Sequence, residues 1–188
     1  MNQPRVLIDA CVLYDALVRD VLMILSGLGC LEARWTDAIH EEWISSLRRN
    51  RPDIPLERLY RVRDLMNLHA SDSLVRGYEH RIAGLVLPDA ADRHVLAAAI
   101  ESQSNYLLTF NKKDFPAEMV SVYGLEVLDP DRFLMDLWNK NPTEVARGLR
   151  IQYHNFKNPP LTAQEYKSMF IRHGLDQTAE IVTGLDLS

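Results

Sequence analysis

The sequence predicts an α/β fold built on a mainly parallel central sheet. Three observations carry that expectation. Val6, Leu7 and Ile8 form an unbroken, largely β-branched apolar run between Arg5 and Asp9, the pattern of a strand buried on both faces. Helical spacing begins directly after it, with no turn residue between. Tyr106, Leu107, Leu108 and Thr109 repeat the buried-strand pattern behind an alanine-rich helix, and strands alternating with helices make a parallel sheet.

The elements follow in order. A first helix is expected over about 12–26, burying Val12, Leu13, Ala16, Leu17, Leu22 and Leu25 and ending near Gly27 and Gly29. The apolar segment 33–35 reads as a short strand. Thr36 or Asp37 caps a second helix that buries Ile39, Trp43, Ile44 and Leu47 and carries Glu41 and Glu42. Pro52 and Pro55 interrupt the pattern, and Pro55 suits the first turn of a third helix through Leu56, Leu59, Val62, Leu65, Met66 and His69. Asp72 is expected to open a further helix to about residue 83. Leu85, Val86 and Leu87 are a short apolar run ended by Pro88. From Pro88 to Ile100 the alanines mark a closely packed buried helix, with Asp89 and Asp92 three apart on its first turn. Residues 110–116 form a polar turn, 125–128 another short strand, and Asp129 with Pro130 opens a helix through Phe133, Leu134, Leu137 and Trp138. Beyond Asn139 the strands stop. Helices over about 142–153, from Thr162 to Gly174 and on to Thr183, parted by Asn158, Pro159 and Pro160, make a helical appendage. The chain thus divides into a domain over 1–138 and a helical extension over 139–188.

Composition sets bounds on the rest. With 188 residues, 47% hydrophobic and 25% charged, the chain suits one soluble domain with a small appendage. Cys11 and Cys30 lie in apolar surroundings without metal-ligand spacing, as buried free thiols of a reducing compartment do. Neither a basic leader with an apolar run nor a stretch of about 18 apolar residues is present. A cytoplasmic protein without a membrane partner is expected. The net charge of −5 argues mildly against a polyanionic partner, but it is uneven. Six arginines at 48, 49, 51, 58, 61 and 63 stand against Asp53 and Glu57, which is +4 locally and leaves −9 elsewhere. Such a run is either a solvated helix face or a footprint for nucleic acid or an acidic partner.

The acids carry the chemistry. Asp9 ends a buried strand, where a carboxylate is costly unless paired or bound to a cation. Ligands in such sheets sit outside the carboxyl ends of the strands. Asp89 and Asp92 suit a cap and the helix dipole as well as a ligand role. Asn111 and Asp114 suit a turn. Glu42 sits near the buried margin of its helix. Asp9, Asn111 and Asp114 follow parallel strands and Asp92 opens a helix that connects into one of them, so these four can converge on one end of the sheet. Two unit charges about 4 Å apart repel by roughly 4 kcal/mol at an effective dielectric of 20, so clustered acids call for protons or a cation. Oxygen-only ligands suit Mg²⁺ or Mn²⁺. His94, the nearest histidine, is read as a surface or RNA-facing residue.

Four stretches, in this order, now carry a resemblance. They are Val6-Leu7-Ile8-Asp9-Ala10-Cys11-Val12-Leu13-Tyr14, Trp35-Thr36-Asp37-Ala38-Ile39-His40-Glu41-Glu42-Trp43, Leu87-Pro88-Asp89-Ala90-Ala91-Asp92-Arg93-His94-Val95-Leu96-Ala97-Ala98-Ala99 and Leu108-Thr109-Phe110-Asn111-Lys112-Lys113-Asp114-Phe115-Pro116. Over about 4–135 the chain resembles PIN-domain proteins of the kind found as VapC-type toxins in toxin–antitoxin pairs, and its tail resembles the extension of a longer branch of them. The resemblance implies a three-layer α/β/α fold and a metal-dependent endoribonuclease. Asp9, Glu42 and Asp92 would be its first three acids, and the turn from Asn111 to Asp114 would hold the fourth. Asp9, Asp92 and Asp114 would bind Mg²⁺ or Mn²⁺, and Glu42 or Asp114 would complete the shell or orient the attacking water. Asp89, Asn111 and Thr109 would be accessory. Arg48, Arg49, Arg51 and Arg93 would contact RNA. A cognate antitoxin and a homodimer are implied as partners. Two departures bear on the site. Ala10 and Cys11 stand where many relatives carry Ser, Thr or Asn, and Asn111 stands nearest the strand at the fourth position. An inactive PIN fold that binds a protein partner is one alternative. A haloacid-dehalogenase-type phosphatase is another, but it wants a second acid where Cys11 stands.

Overall fold

The computed structural model describes residues 3–70 and 72–187. Strand β1 (Arg5–Ile8) is the second of four parallel strands in the order β2-β1-β3-β4, with β2 at Glu32–Arg34, β3 at Tyr106–Leu108 and β4 at Glu126–Leu128. Val6, Leu7 and Ile8 are fully buried, as an apolar run covered on both faces must be. The register pairs Val6 with Ala33 and Tyr106, and Leu107 with Val127. The chain leaves β1 for β2 in one direction and then passes to β3 and β4 in the other. Right-handed crossovers therefore put the helices of the first connection on one face and those of the later connections on the opposite face. The carboxyl ends of β1 and β3 flank the place where the direction reverses.

The first connection is two helices, not one. α1 (Ala10–Tyr14) stops at Asp15, whose Oδ1 accepts from the backbone N–H groups of Leu17 and Val18 and so caps α2 (Ala16–Gly27). An acid that bonds backbone donors two and three residues ahead competes with helix continuation, which apolar spacing does not reveal. Thr36 caps α3 (Asp37–Asn50), and α4 (Leu56–His69) begins directly after Pro55. The helix expected from Asp72 does not form. Trp35 and Leu74 instead make a parallel bridge and Val75 N–H donates to the Trp35 carbonyl, so the backbone is spent on an extended pairing. Only the short α5 (Glu79–Ile82) remains of it. Leu85 and Leu87 are buried in a loop outside any strand.

Asp89 caps a single 3₁₀ turn, Ala90–Asp92, which runs into α6 (Arg93–Glu101). Ala97, Ala98 and Ala99 are fully buried there, and α6 lies against β1 and β3. A second 3₁₀ turn at Lys112–Asp114 and the short α7 (Ala117–Val120) lead to β4.

α8 (Pro130–Lys140) is capped by Asp129, α9 (Pro142–Asn155) by Asn141, and α10 (Ala163–Arg172) by a capping box of Thr162 and Glu165. Gly174 takes the left-handed conformation (φ 74°) that ends α10 before α11 (Asp176–Thr183). These C-terminal helices share the core of the sheet domain. Gln152 of α9 donates to the Leu17 carbonyl and to Asp20, and accepts from the Tyr166 hydroxyl at 2.8 Å. Asp131, 7% exposed, accepts from the backbone N–H groups of Gln177 and Thr178 and from the Thr178 hydroxyl, which ties α8 to the start of α11.

Candidate active site

At the reversal point the backbone itself aims Asp9. Its N–H donates to the Leu108 carbonyl (3.0 Å), prolonging the β1–β3 ladder by one residue, and its side chain turns to cap α1. Oδ1 accepts from Ala10 N–H (2.6 Å); Oδ2 accepts from the Thr109 hydroxyl (2.7 Å) and from the Cys11 thiol (3.1 Å). Thr109, fully buried, in turn accepts from Asn111 N–H (3.0 Å), and Cys11 Sγ accepts from Phe110 N–H (3.3 Å). Burial, then the Asp9 charge, push the Cys11 thiol up to about 12, so it stays a neutral donor.

A crevice of about 440 Å³ opens above this floor, lined by Asp9, Ala10, Cys11, Tyr14, Glu42, Trp43, Ser46, Asp92 and Asn111. Glu42 comes from α3, Asp92 from the start of α6 and Asn111 from the turn after β3. Asp114 is held beside it as the acceptor of the Asn111 amide and is not itself part of the lining. The electrostatics record the convergence. Burial, then the charges of Asp9, Asp89, Asp114 and Glu42, raise the Asp92 carboxyl from 3.8 to about 6. Asp89, exposed, accepts from Ala91 N–H (2.8 Å).

Glu41 and Glu42 part company on α3. Glu41 turns to Arg63 (3.5 Å), whereas Glu42 Oε1 meets His94 Nε2 at 2.8 Å. His94 is largely covered, with 16% of its side chain exposed, which corrects the surface placement expected for it. Burial opposes its charged form, but the bond to Glu42 and the charges of Glu42, Asp9 and Asp92 outweigh that and raise it above the ordinary imidazole value.

The arginines are less uniform than their spacing suggests. Arg49 donates to Ser46 Oγ (3.1 Å), a crevice-lining residue, without itself lining the crevice. Arg48 is exposed one residue before it. Arg51 makes a two-pronged pair with Asp53 (2.9 and 2.7 Å), and Arg63 pairs with Glu41 and Asp64, which cancels part of the local positive charge. Arg93 has a buried Nε without a partner among the described residues.

The donor set of carboxylate oxygens around a carboxyl held near 6 fits a hard divalent cation. Among the described residues no three His, Cys, Asp or Glu side chains stand ready grouped as ligands. Asp9 bonds Ala10, Cys11 and Thr109, Glu42 bonds His94, and Asp114 bonds Asn111. Ion binding would exchange some of these bonds. Tyr14 and Ser46 are crevice residues that sequence reasoning did not single out, and Cys11 and His94 were named there without their part in holding Asp9 and Glu42. Cys11 and Tyr14, two and five residues after Asp9, were within reach of a one-turn helix argument; Ser46 and His94 depend on where α3 meets α6.

Fold and crevice together define an open parallel α/β protein with an acidic site at its topological switch point. The chain belongs to the PIN-domain family: the PIN-domain family model matches residues 5–113, more than half of its length. The VapC50 C-terminal domain model matches residues 130–184, so the pairing is that of VapC-type PIN proteins with a C-terminal extension. Among curated proteins it is similar to one named "Putative ribonuclease VapC50" from Mycobacterium tuberculosis (strain ATCC 25618 / H37Rv), 44% identical over 74 residues. That stretch is 38% of this chain and spans 42% of the relative. No solved structure matches the chain. No helix among the described residues is long and apolar enough to cross a membrane.

Proposed function

We propose that the chain is a Mg²⁺- or Mn²⁺-dependent endoribonuclease and the toxin of a VapBC-type pair. The observation that carries the reading is the crevice in which Asp9, Glu42 and Asp92, from three separate stretches of chain, share one space. PIN-domain ribonucleases generally use divalent metals, and the similar mycobacterial protein is named as a ribonuclease.

Asp9, Asp92 and Asp114 would hold the cation, with Asp89 as an accessory carboxylate and Asn111 setting Asp114. When bound, such an ion supplies Lewis-acid polarisation of the scissile phosphate. Thr109 and Cys11 keep the Asp9 carboxylate aimed at the crevice. Glu42 is the general base: water adds to phosphorus and gives a proton to Glu42, the bond to the ribose oxygen breaks with its electron pair going to that oxygen, and the oxygen takes a proton from solvent. Arg49 and Arg48 reach the RNA backbone from the α3 end, with Arg93 on the α6 side. Arg51 joins them by exchanging Asp53 for a phosphate. The antitoxin would cover the acidic crevice, and the protein would act in the cytoplasm as a homodimer.

The test is cleavage of single-stranded RNA by the purified chain with Mg²⁺ or Mn²⁺. Cleavage should vanish in EDTA and in Asp9→Asn. Undiminished cleavage by that variant, or hydrolysis of a small phosphomonoester in place of RNA, would refute the reading.

A further inference from the structure

His94 is the residue of this site whose presence the chemistry above leaves unexplained. It lies two residues beyond Asp92 on the first turn of α6, and its Nε2 meets Glu42 Oε1 of α3 at 2.8 Å. The contact joins residues 52 apart and ties together the two helices that bring the second and third acids to the crevice. The opposite nitrogen, Nδ1, is buried with no hydrogen-bond partner among the described residues. A buried polar atom without a partner is a cost that an apolar ring of the same shape would avoid. A histidine kept only for packing would have no use for that atom. With one nitrogen bonded to Glu42 and the other unpartnered, the neutral ring fits the tautomer that donates from Nε2 and leaves Nδ1 a bare acceptor; in either protonation state Nε2 carries the N–H that meets Glu42. The ring does not line the crevice, so it acts through Glu42 and not on substrate.

We infer that His94 is a positioning residue, which donates from Nε2 to Glu42 and fixes that carboxylate relative to Asp92 across the α3–α6 junction. Glu42 is nearly half exposed, with 47% of its side chain accessible. On an exposed helix turn a glutamate samples several rotamers; the bond to a covered ring selects one of them. This inference rests on the nuclease reading for its catalytic consequence, but the pairing itself is a property of the metal-free chain.

The experiment has two arms. In the first, ¹⁵N spectra of the metal-free protein report the imidazole tautomer. On the neutral ring at alkaline pH the Nε2–H form with a hydrogen-bonded proton is expected, and the hydrogen-bond signature, though not the tautomer, should be lost in Glu42→Ala. In the second, RNA cleavage is measured for His94→Phe, which keeps a ring without a donor, and His94→Gln, which keeps an N–H at similar reach. His94→Phe should lose about 10- to 100-fold in kcat with KM little changed, the usual scale for a partner behind an active-site ligand. His94→Gln should recover most of that loss. In a Glu42→Ala background, His94→Phe should have no further effect, because the residue it positions is gone. Thermal midpoints of all variants separate misfolding from mispositioning. Equal activity of His94→Phe and wild type, or full additivity with Glu42→Ala, would overturn the positioning role. A wild type that cleaves no RNA would overturn the nuclease reading and the catalytic role with it, while the spectra still decide whether the pairing exists.

Discussion

Replacing Asp92 by asparagine should stabilise the metal-free protein at pH 8 and leave it little changed below the unfolded carboxyl value of 3.8. Burial, then the charges of Asp9, Asp89, Asp114 and Glu42, raise this carboxyl from 3.8 to about 6. A shift of that size corresponds to about 3 kcal/mol at the conversion of 1.36 kcal/mol per unit. Asp92 is only partly buried, so solvent screening reduces the expected gain to about 1–2 kcal/mol. The sign follows from linkage. A carboxyl whose folded value is raised burdens the native state only where it is ionised. Its contribution is harmless below the unfolded value of 3.8, and stability is lost as pH climbs through about 6. For a chain of this length, 1 kcal/mol moves the midpoint by roughly 2–4 °C. Asp92→Asn in EDTA should therefore melt about 2–8 °C above wild type at pH 8, with the difference closing as pH falls to the unfolded value of 3.8. Mg²⁺ should raise the wild-type midpoint more at pH 8 than at pH 5 and should lose most of its effect on the variant. The assay is thermal unfolding across a pH series, with and without the ion. A variant less stable than wild type at pH 8, or a difference independent of pH, would show that the carboxylates do not repel one another at this site.

Three further substitutions probe the support around the crevice and the extension. Thr109→Val keeps the shape but removes the hydroxyl that donates to Asp9 and accepts from Asn111 N–H. It should cost about 1–3 kcal/mol in denaturant unfolding and, with Asp9 loosened, about tenfold or more in RNA cleavage. Gly148→Ala sets two effects against each other: alanine favours the helix by about 1 kcal/mol, but its Cβ would stand 2.6 Å from Leu25 Cδ2 where α9 crosses α2. Overpacking of about 1–3 kcal/mol should win, and a stabilised variant would mean that the two helices yield at that contact. Asp131→Ala leaves the Thr178 N–H and hydroxyl without their buried acceptor. It should destabilise the protein by about 3 kcal/mol, with hydrogen exchange accelerated first in α11.

Much of this molecule is written locally. A run of three apolar residues that includes two β-branched ones has nowhere stable to go but a covered strand, so β1 and the place of Asp9 at its end follow from the residues alone. Thr36, Asp129 and Thr162 announce helix starts because their side-chain oxygens reach the free N–H groups of the first turn. The gathering of Asp9, Asp92 and the 111–114 turn was legible for a related reason: residues that follow parallel strands, or precede the helices between them, are delivered to one edge of the sheet. Where apolar spacing misled, a polar or extended alternative was competing for the backbone. Asp15 stops α1 and starts α2, and Leu74 and Val75 pair with Trp35 in place of the helix expected there.

What neighbouring residues cannot encode is the contact between elements distant along the chain. Glu41 and Glu42 are chemically equivalent and adjacent; Arg63 of α4 meets one and His94 of α6 the other. Cys11 reads as an inert core thiol; in the fold it donates to Asp9, and the residue after β3 brings the Thr109 hydroxyl beside it. The sequence by itself determined the sheet, most helix boundaries and the set of acids available to the site, because strand burial, capping and helical spacing act over a few residues. Only the tertiary structure decided which of those acids share a space and which neighbours hold them there, because hydrogen bonds and Coulomb repulsion depend on distances that close when separate helices and strands pack together.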